Sequence, residues 1–258
     1  STPMSRGAAI KLDEVGVPLW KIGSGDILDF VMMDYLRNSG KPILMSTGMS
    51  TLEEVEKALA FLREKNDRVA LFHCVSKYPC PPEELHLGTI DFYKERLQIP
   101  IGFSDHSIGI EPDLVAIAMG ATMVEKHFSM SRDLWGSDHK VSMTPDELRA
   151  LVEGAKRIAD DPAYREELLN SEYAKLARAG KEKILQDDEA VFRPLFRKSL
   201  MAGMDIPAGT VIIKEMVYAM RPQQYAGGLP SEQYEEVLGR TTTKALSKFD
   251  PIITDVIS

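Results

Sequence analysis

The sequence predicts an α/β protein built on a parallel sheet. Three observations carry that prediction. Five short apolar or β-branched runs recur between residues 17 and 125, helix-patterned stretches separate them, and polar residues gather where each run ends. Buried continuous strands alternating with helices are the pattern of βαβ units. The runs start at residues 17, 42, 69, 99 and 121, a spacing of 22–30 residues that suits either a (β/α) barrel or a doubly wound sheet.

The elements follow in chain order. Strands are expected over residues 17–22, 42–46, 69–74, 99–104 and 121–125. The clearest helix is TLEEVEKALAFLREK, residues 51–65, where Thr51 and Glu54 form a capping-box pattern and Val55, Ala58, Leu59 and Leu62 fall on one face. Weaker helical patterns cover 29–37, 90–97 and 112–119. Another helix, 145–159, opens on a second box, Thr144 with Glu147. Residues 160–188 are charged, helical and poor in β formers. From Phe192 the texture changes to short strands, 198–202, 211–213 and 217–220, broken by Pro207, Gly209 and Pro222. A helical stretch, 231–238, and a further strand region, 242–257, complete a small β-rich module. The expected division is a barrel-like part over 1–160, a charged helical connector over 161–190 and a β-rich module over 191–258.

Composition narrows the function. With 258 residues, 44% hydrophobic and 27% charged, the chain has the make-up of a globular protein able to bury a core. Thirty-one basic against 39 acidic residues give a net charge of −8. With no basic block, nucleic acid and anionic membranes are poor partners. No apolar run approaches the roughly 18–20 residues of a membrane span. Two cysteines, Cys74 and Cys80, exclude a disulfide scaffold and a CxxC site; no secretory signal is visible, and a reduced, cytoplasmic setting is expected.

Catalytic groups of parallel sheets collect at the C-terminal strand ends. Here those ends read Lys21-Ile22-Gly23-Ser24-Gly25-Asp26, Ser46-Thr47-Gly48, His73-Cys74-Val75-Ser76, Ser104-Asp105-His106 and Glu125-Lys126-His127. An unpaired buried polar group costs roughly 1–3 kcal/mol, so five such ends in series point to a polar site. The GSGD and STGM loops suit a phosphate or carboxylate, or are ordinary βα turns; neither is a P-loop or a GxGxxG fingerprint. His106 and His127 end neighbouring strands and can share a divalent metal, although their spacing alone favours two structural histidines. Lys21 can neutralise an anion, form a Schiff base or snorkel to solvent.

The stretches VPLWKIGSGDI, GKPILMSTGMST, HCVSKYPCPPEELHL, IPIGFSDHSIGI, GATMVEKHFSM and GSDHKVSMTPDEL resemble the sialic acid synthases, and the tail from about Arg197 resembles their C-terminal antifreeze-like (SAF) domain, including the dipeptide Arg221-Pro222. The resemblance implies a (β/α)8 TIM-type barrel, N-terminally incomplete here, followed by a SAF domain. Ser1-Thr2-Pro3 then stands at the end of the barrel's third strand. The implied reaction condenses phosphoenolpyruvate with N-acetylmannosamine or a related amino sugar. A divalent metal, manganese foremost with magnesium or cobalt as alternatives, is expected on His106 and His127. Thr2, Lys21, Ser24, Ser46 and Ser76 are expected against phosphoenolpyruvate, and Tyr78, Asp26 and Asp138 against the sugar. Glu125 is the acid/base candidate, and Arg221 is expected to reach the sugar site of the other protomer in a domain-swapped homodimer.

The competing readings are a lysine Schiff-base aldolase using Lys21 or Lys126, and an inert fragment serving as a binding or dimerisation module. An unclosed parallel sheet exposes edges and apolar faces, so the isolated chain is expected to self-associate; a cooperative melt as a soluble monomer in sedimentation and calorimetry would count against this.

Overall fold

A computed structural model describes residues 1–258. Five strands form one sheet in chain order: β1 (Trp20–Ile22), β2 (Ile43–Ser46), β3 (Val69–Cys74), β4 (Ile101–Asp105) and β5 (Val124–Lys126). Pairing is parallel where β3 meets β4 and where β4 meets β5. Helices α1 (Arg6–Val15), α2 (Phe30–Asn38), α3 (Leu52–Arg63), α4 (Gly88–Leu97), α5 (Glu111–Ala118) and α6 (Pro145–Asp160) alternate with or follow the strands. Two short helices, α7 (Pro162–Asn170) and α8 (Glu172–Ala177), come next. No helix is long and apolar enough to cross a membrane.

The sequence reading located all five strands. It missed α1, whose signals are a Ser5 N-cap accepting from the Ala8 amide at 3.1 Å and Gly16 at φ 90° closing the C-terminus. Ser1 bonds across to both flanks of Trp20: its ammonium donates to the Leu19 carbonyl at 3.1 Å, and the Lys21 amide donates to the Ser1 carbonyl at 2.8 Å. That is the bonding of a parallel neighbour to β1.

The chain divides into two compact units. The first joins Ser1–Leu44, Leu52–Val69 and Ala190–Ser258; the second joins Met45–Thr51 and Ala70–Glu189.

In the first unit, Trp20, Ile22, Met32, Leu36, Ile43, Val55 and Leu62 are fully buried, and Phe30 stacks on Phe61 with centroids 3.9 Å apart. The segment from Ala190 carries an antiparallel pair, β6 (Ser199–Ala202) with β7 (Val217–Met220), in register from Ser199↔Met220 to Ala202↔Val217. Residues 211–213 and 242–257 do not form the expected strands. They make isolated bridges, Val211 to Thr241, Thr242 to Ile257, Leu246 to Ile206 and Pro251 to Met201. Phe249 at φ 73° and a 3-10 turn at Thr254–Val256 break any continuous ladder.

In the second unit, Leu71, Ile90, Tyr93, Ile101, Phe103 and Val115 are buried about β3 and β4. A further cluster, Leu114, Ala118, Met143, Leu151 and Ile158, joins α5 to α6. The Thr144–Glu147 capping box forms as expected and starts α6.

Arg37 shows how the first unit is tied together. Its guanidinium lies 2.9 Å from Asp34, 2.8 Å from Glu64 and 2.6 Å from Glu235, donates to the Phe61 carbonyl at 2.9 Å and covers the Phe61 ring at 3.6 Å. The Arg side chain is buried, but Glu64 and Glu235 are half exposed and re-solvate if it is lost. Arg37→Ala is therefore expected to cost roughly 1–3 kcal/mol, read as a lower urea midpoint at unchanged slope.

Candidate active site

Each compact unit brings part of the expected residues together. In the second unit the frame is β4 and β5, whose register sets Ser104 beside Glu125 and Asp105 beside Lys126. Side chains alternate along a strand, so Ser104 and Glu125 share one face and Asp105 and Lys126 the other. Ser104 Oγ donates to Glu125 Oε1 at 2.9 Å. His106 and His127 follow directly, with ring centroids 5.7 Å apart. Together these side chains line a cavity of about 210 Å³.

His106 is oriented from both sides. Its Nδ1 lies 2.7 Å from the Val75 carbonyl oxygen, so in the neutral ring Nδ1 carries the proton and donates. Nε2 is then the lone-pair nitrogen, and the Tyr78 hydroxyl donates to it at 2.7 Å. Burial pushes the Tyr78 phenol up, which keeps it a donor. Burial also pulls His106 down, but Cys74, the Val75 carbonyl and Asp105 outweigh it and leave the imidazole above its ordinary value. His127, half buried, sits below the ordinary value, first through burial and then through the neighbouring His106. Asp138 Oδ2 is 3.9 Å from His127 Nδ1, nearby but beyond hydrogen-bond reach.

Imidazoles suit divalent first-row cations, and the Val75 carbonyl does for His106 what outer groups do for metal-bound histidines, which is to fix the tautomer. No group of three or more His, Cys, Asp or Glu side chains is gathered to hold an ion. The two imidazoles of His106 and His127 are the donor type that such a cation accepts.

Ser46 is buried at the end of β2. The Ser76 amide donates to Glu189 Oε1 at 2.8 Å, and the Met49 amide donates to the same oxygen at 2.8 Å. Glu189 is completely buried. Sequence reasoning missed it because the run Asp187-Asp188-Glu189 reads as a solvated charged surface. His73 is also buried, with Nε2 2.7 Å from the Leu85 carbonyl and its pKa lowered by burial to about 3, a neutral structural ring. Cys80 is a buried free thiol pushed up by burial to about 12, not a nucleophile.

In the first unit, Lys21 and Asp26 are buried at the end of β1, with Ser24 opening the 3-10 turn Ser24–Asp26. Thr2 approaches Gly23. Gly25 has no room for a side chain: a Cβ there would lie 2.7 Å from the Phe196 ring. Lys198, which sequence reasoning did not single out, places Nζ 2.8 Å from Asp26 Oδ1 and 2.7 Å from Asp29 Oδ2. Burial pushes the Asp26 carboxyl up while Lys198 pulls it back. Arg221 Nη1 stands 3.7 Å from Asp26 of its own chain.

The NeuB family profile matches residues 1–163, more than half of the sequence. The chain belongs to the NeuB family. Among relatives of this NeuB-family chain, N,N'-diacetyllegionaminic acid synthase of Campylobacter jejuni is 32% identical over 247 residues, 95% of this chain and 68% of that one. Human N-acetylneuraminate-9-phosphate synthase is 29% identical over 249 residues, 95% of this chain and 64% of that one. The chain thus spans about two thirds of the length of these curated relatives. Among solved structures, the spore coat polysaccharide biosynthesis protein spsE of Bacillus subtilis superposes with a TM-score of 0.82 at 26% identity, covering 100% of this chain and 72% of its own. The N-acetylneuraminic acid synthetase of Leptospira borgpetersenii, solved with citrate, gives 0.60 at 34% identity, covering 73% and 60%.

Behind the histidines of this NeuB-family chain lies a buried charge cluster. Lys126 Nζ pairs closely with Asp105 and lies 3.4 Å from Asp113 Oδ2, with all three side chains almost inaccessible. Burial, reinforced by Asp105, pushes the Asp113 carboxyl up to about 8, against the opposing pull of Lys126. Native Asp113 therefore holds a proton that the unfolded chain releases above about pH 4. The stability this contributes is complete below that pH and is lost as pH rises toward 8. Unfolding free energy is expected to decline over that window, and Asp113→Asn is expected to flatten the decline in denaturant titrations across pH.

Proposed function

We propose that the protein is a nonulosonic acid synthase of the NeuB type, condensing phosphoenolpyruvate with an open-chain N-acetylated amino sugar and releasing phosphate. The observation that carries this reading is the pairing of His106 and His127 beside Glu125 and Tyr78, at strand ends, in a chain of this family. The enol carbon of phosphoenolpyruvate attacks the sugar aldehyde, water adds at the adjacent carbon, and phosphate leaves by C–O cleavage. A divalent cation on His106 and His127, manganese foremost, would supply Lewis-acid polarisation of the aldehyde.

The chain's own groups take the remaining roles in this proposal. Lys21, Ser24, Thr2, Ser46 and Ser76 hold the anionic substrate by charge and short polar donors. Glu125, held at 2.9 Å by Ser104, moves the proton at the reacting oxygen. Tyr78, Asp26 and Asp138 bind the sugar, and Arg221 adds positive charge beside Asp26. Two bound substrates held together supply much of the acceleration. A cytoplasmic setting and association into a homodimer belong to the same reading.

The aldolase alternative finds less support. Lys126 is committed to Asp105, Asp113 and the Ser107 carbonyl at 3.0 Å, whereas a Schiff-base lysine needs an amine available to the substrate. Relatives named for legionaminic and N-acetylneuraminate 9-phosphate products have similar identity, so the sugar is an experimental variable.

The test is phosphate release from phosphoenolpyruvate with N-acetylmannosamine and with diacetamido-trideoxy hexoses, in Mn²⁺ and in EDTA. Release is expected to require both sugar and metal and to fall at least about 100-fold in His106→Ala and His127→Ala. Borohydride trapping of a substrate adduct would instead favour the aldolase.

A further inference from the structure

We propose that Lys126 and Asp105 are positioning residues whose ion pair sets the separation and tilt of the His106 and His127 rings. The inference rests on the reading of those histidines as cation ligands. Asp105 and Lys126 are directly paired in the β4–β5 ladder and are the last residues so paired, each immediately preceding a histidine. Beyond them no ladder bond holds the two strand ends at a fixed distance. The ion pair takes over that task.

It is built to do so. Lys126 Nζ donates to Asp105 Oδ2 and, at 3.0 Å, to the Ser107 carbonyl. Asp105 in turn accepts from the Ser107 amide at 2.8 Å and from the Ser107 hydroxyl at 2.9 Å. His106 is the middle residue of the turn these bonds close, so its backbone is tied to β5 on both flanks. Both side chains lie on the strand face opposite Ser104 and Glu125 and are 2% exposed or less. Their charged ends are spent on each other, on Asp113 and on the Ser107 turn, which assigns them to placing the histidines rather than to holding substrate. Stability is a poor reason for such a pair, because desolvation offsets most of the attraction between buried ions. Fixing geometry is a reason that burial does not cancel.

The test uses the full chain and MnCl₂ as probe, with free Mn²⁺ read by electron paramagnetic resonance. A second readout is the Nδ1-protonated tautomer of His106 in long-range ¹H–¹⁵N spectra, recorded without metal. The double variant Asp105→Asn/Lys126→Met removes both members of the pair together, so neither is left as a buried charge without its partner. It is expected to melt cooperatively, to bind Mn²⁺ about 10- to 100-fold more weakly and to lose the single tautomer signature, because a displaced His106 ring gives up its Nδ1 bond to the Val75 carbonyl. Asp113→Asn, which leaves the Lys126–Asp105 pair intact, is expected to hold its affinity within about twofold of the parent chain. A folded double variant with parental affinity and tautomer overturns the proposal. If the parent chain takes up no Mn²⁺, the cation reading fails and the tautomer signature decides the positioning role: kept in the double variant it overturns that role, lost it supports it. Should the double variant not fold, Asp105→Asn removes the ion pair while keeping the side chain's shape and leaving Lys126 beside Asp113 at 3.4 Å, and unchanged affinity and tautomer there also overturn the proposal.

Discussion

The parallel register of β4 against β5 is the constraint on which the second unit's chemistry depends. A strand has only two faces, so one register decides both the residues that meet a ligand and those that meet the core. With Ser104 opposite Glu125, a hydroxyl and a carboxylate share the cavity face. With Asp105 opposite Lys126, opposite charges are buried together on the other. A slip of β5 by one residue would turn Lys126 to the cavity face and Glu125 to the interior, splitting both pairs and leaving Asp105 buried without its cation.

The first unit answers a similar problem with a different device. Asp26 and Asp29 are buried carboxylates near the end of β1, and the chain brings one ammonium, Lys198, from far along the sequence to serve both. Nearby, Arg197 and Arg193 reach Glu54. Sequence-distant cations thus neutralise acids within the compact unit that joins residues from Ala190 onward to Ser1–Leu44.

What was legible in the sequence is what local physics dictates. Val69–Cys74 is buried at every position and reads as a strand from its apolar run alone. Thr144 with Glu147 announces the start of α6 because capping is a contact between near neighbours. Residues 242–257 misled because β-branched composition does not record whether a partner ladder runs long enough to make a strand. In the site, His106 and His127 are 21 positions apart and match no metal spacing; only the β4–β5 register brings them to 5.7 Å. Lys198 and Glu189 were invisible for the same reason: their partners lie far off in sequence, and charge in a charged stretch carries no sign of burial.

Glu189 bears on how such a scaffold can diversify. One oxygen of this carboxylate takes the amides of both Met49 and Ser76, so the loops following β2 and β3 are fastened to a single distant acid. Neither loop can change length or path without disturbing the anchor it shares with the other. Grafting a loop from another protein to recruit a new substrate would have to keep an amide aimed at Glu189, so the two loops are better exchanged as a pair than one at a time.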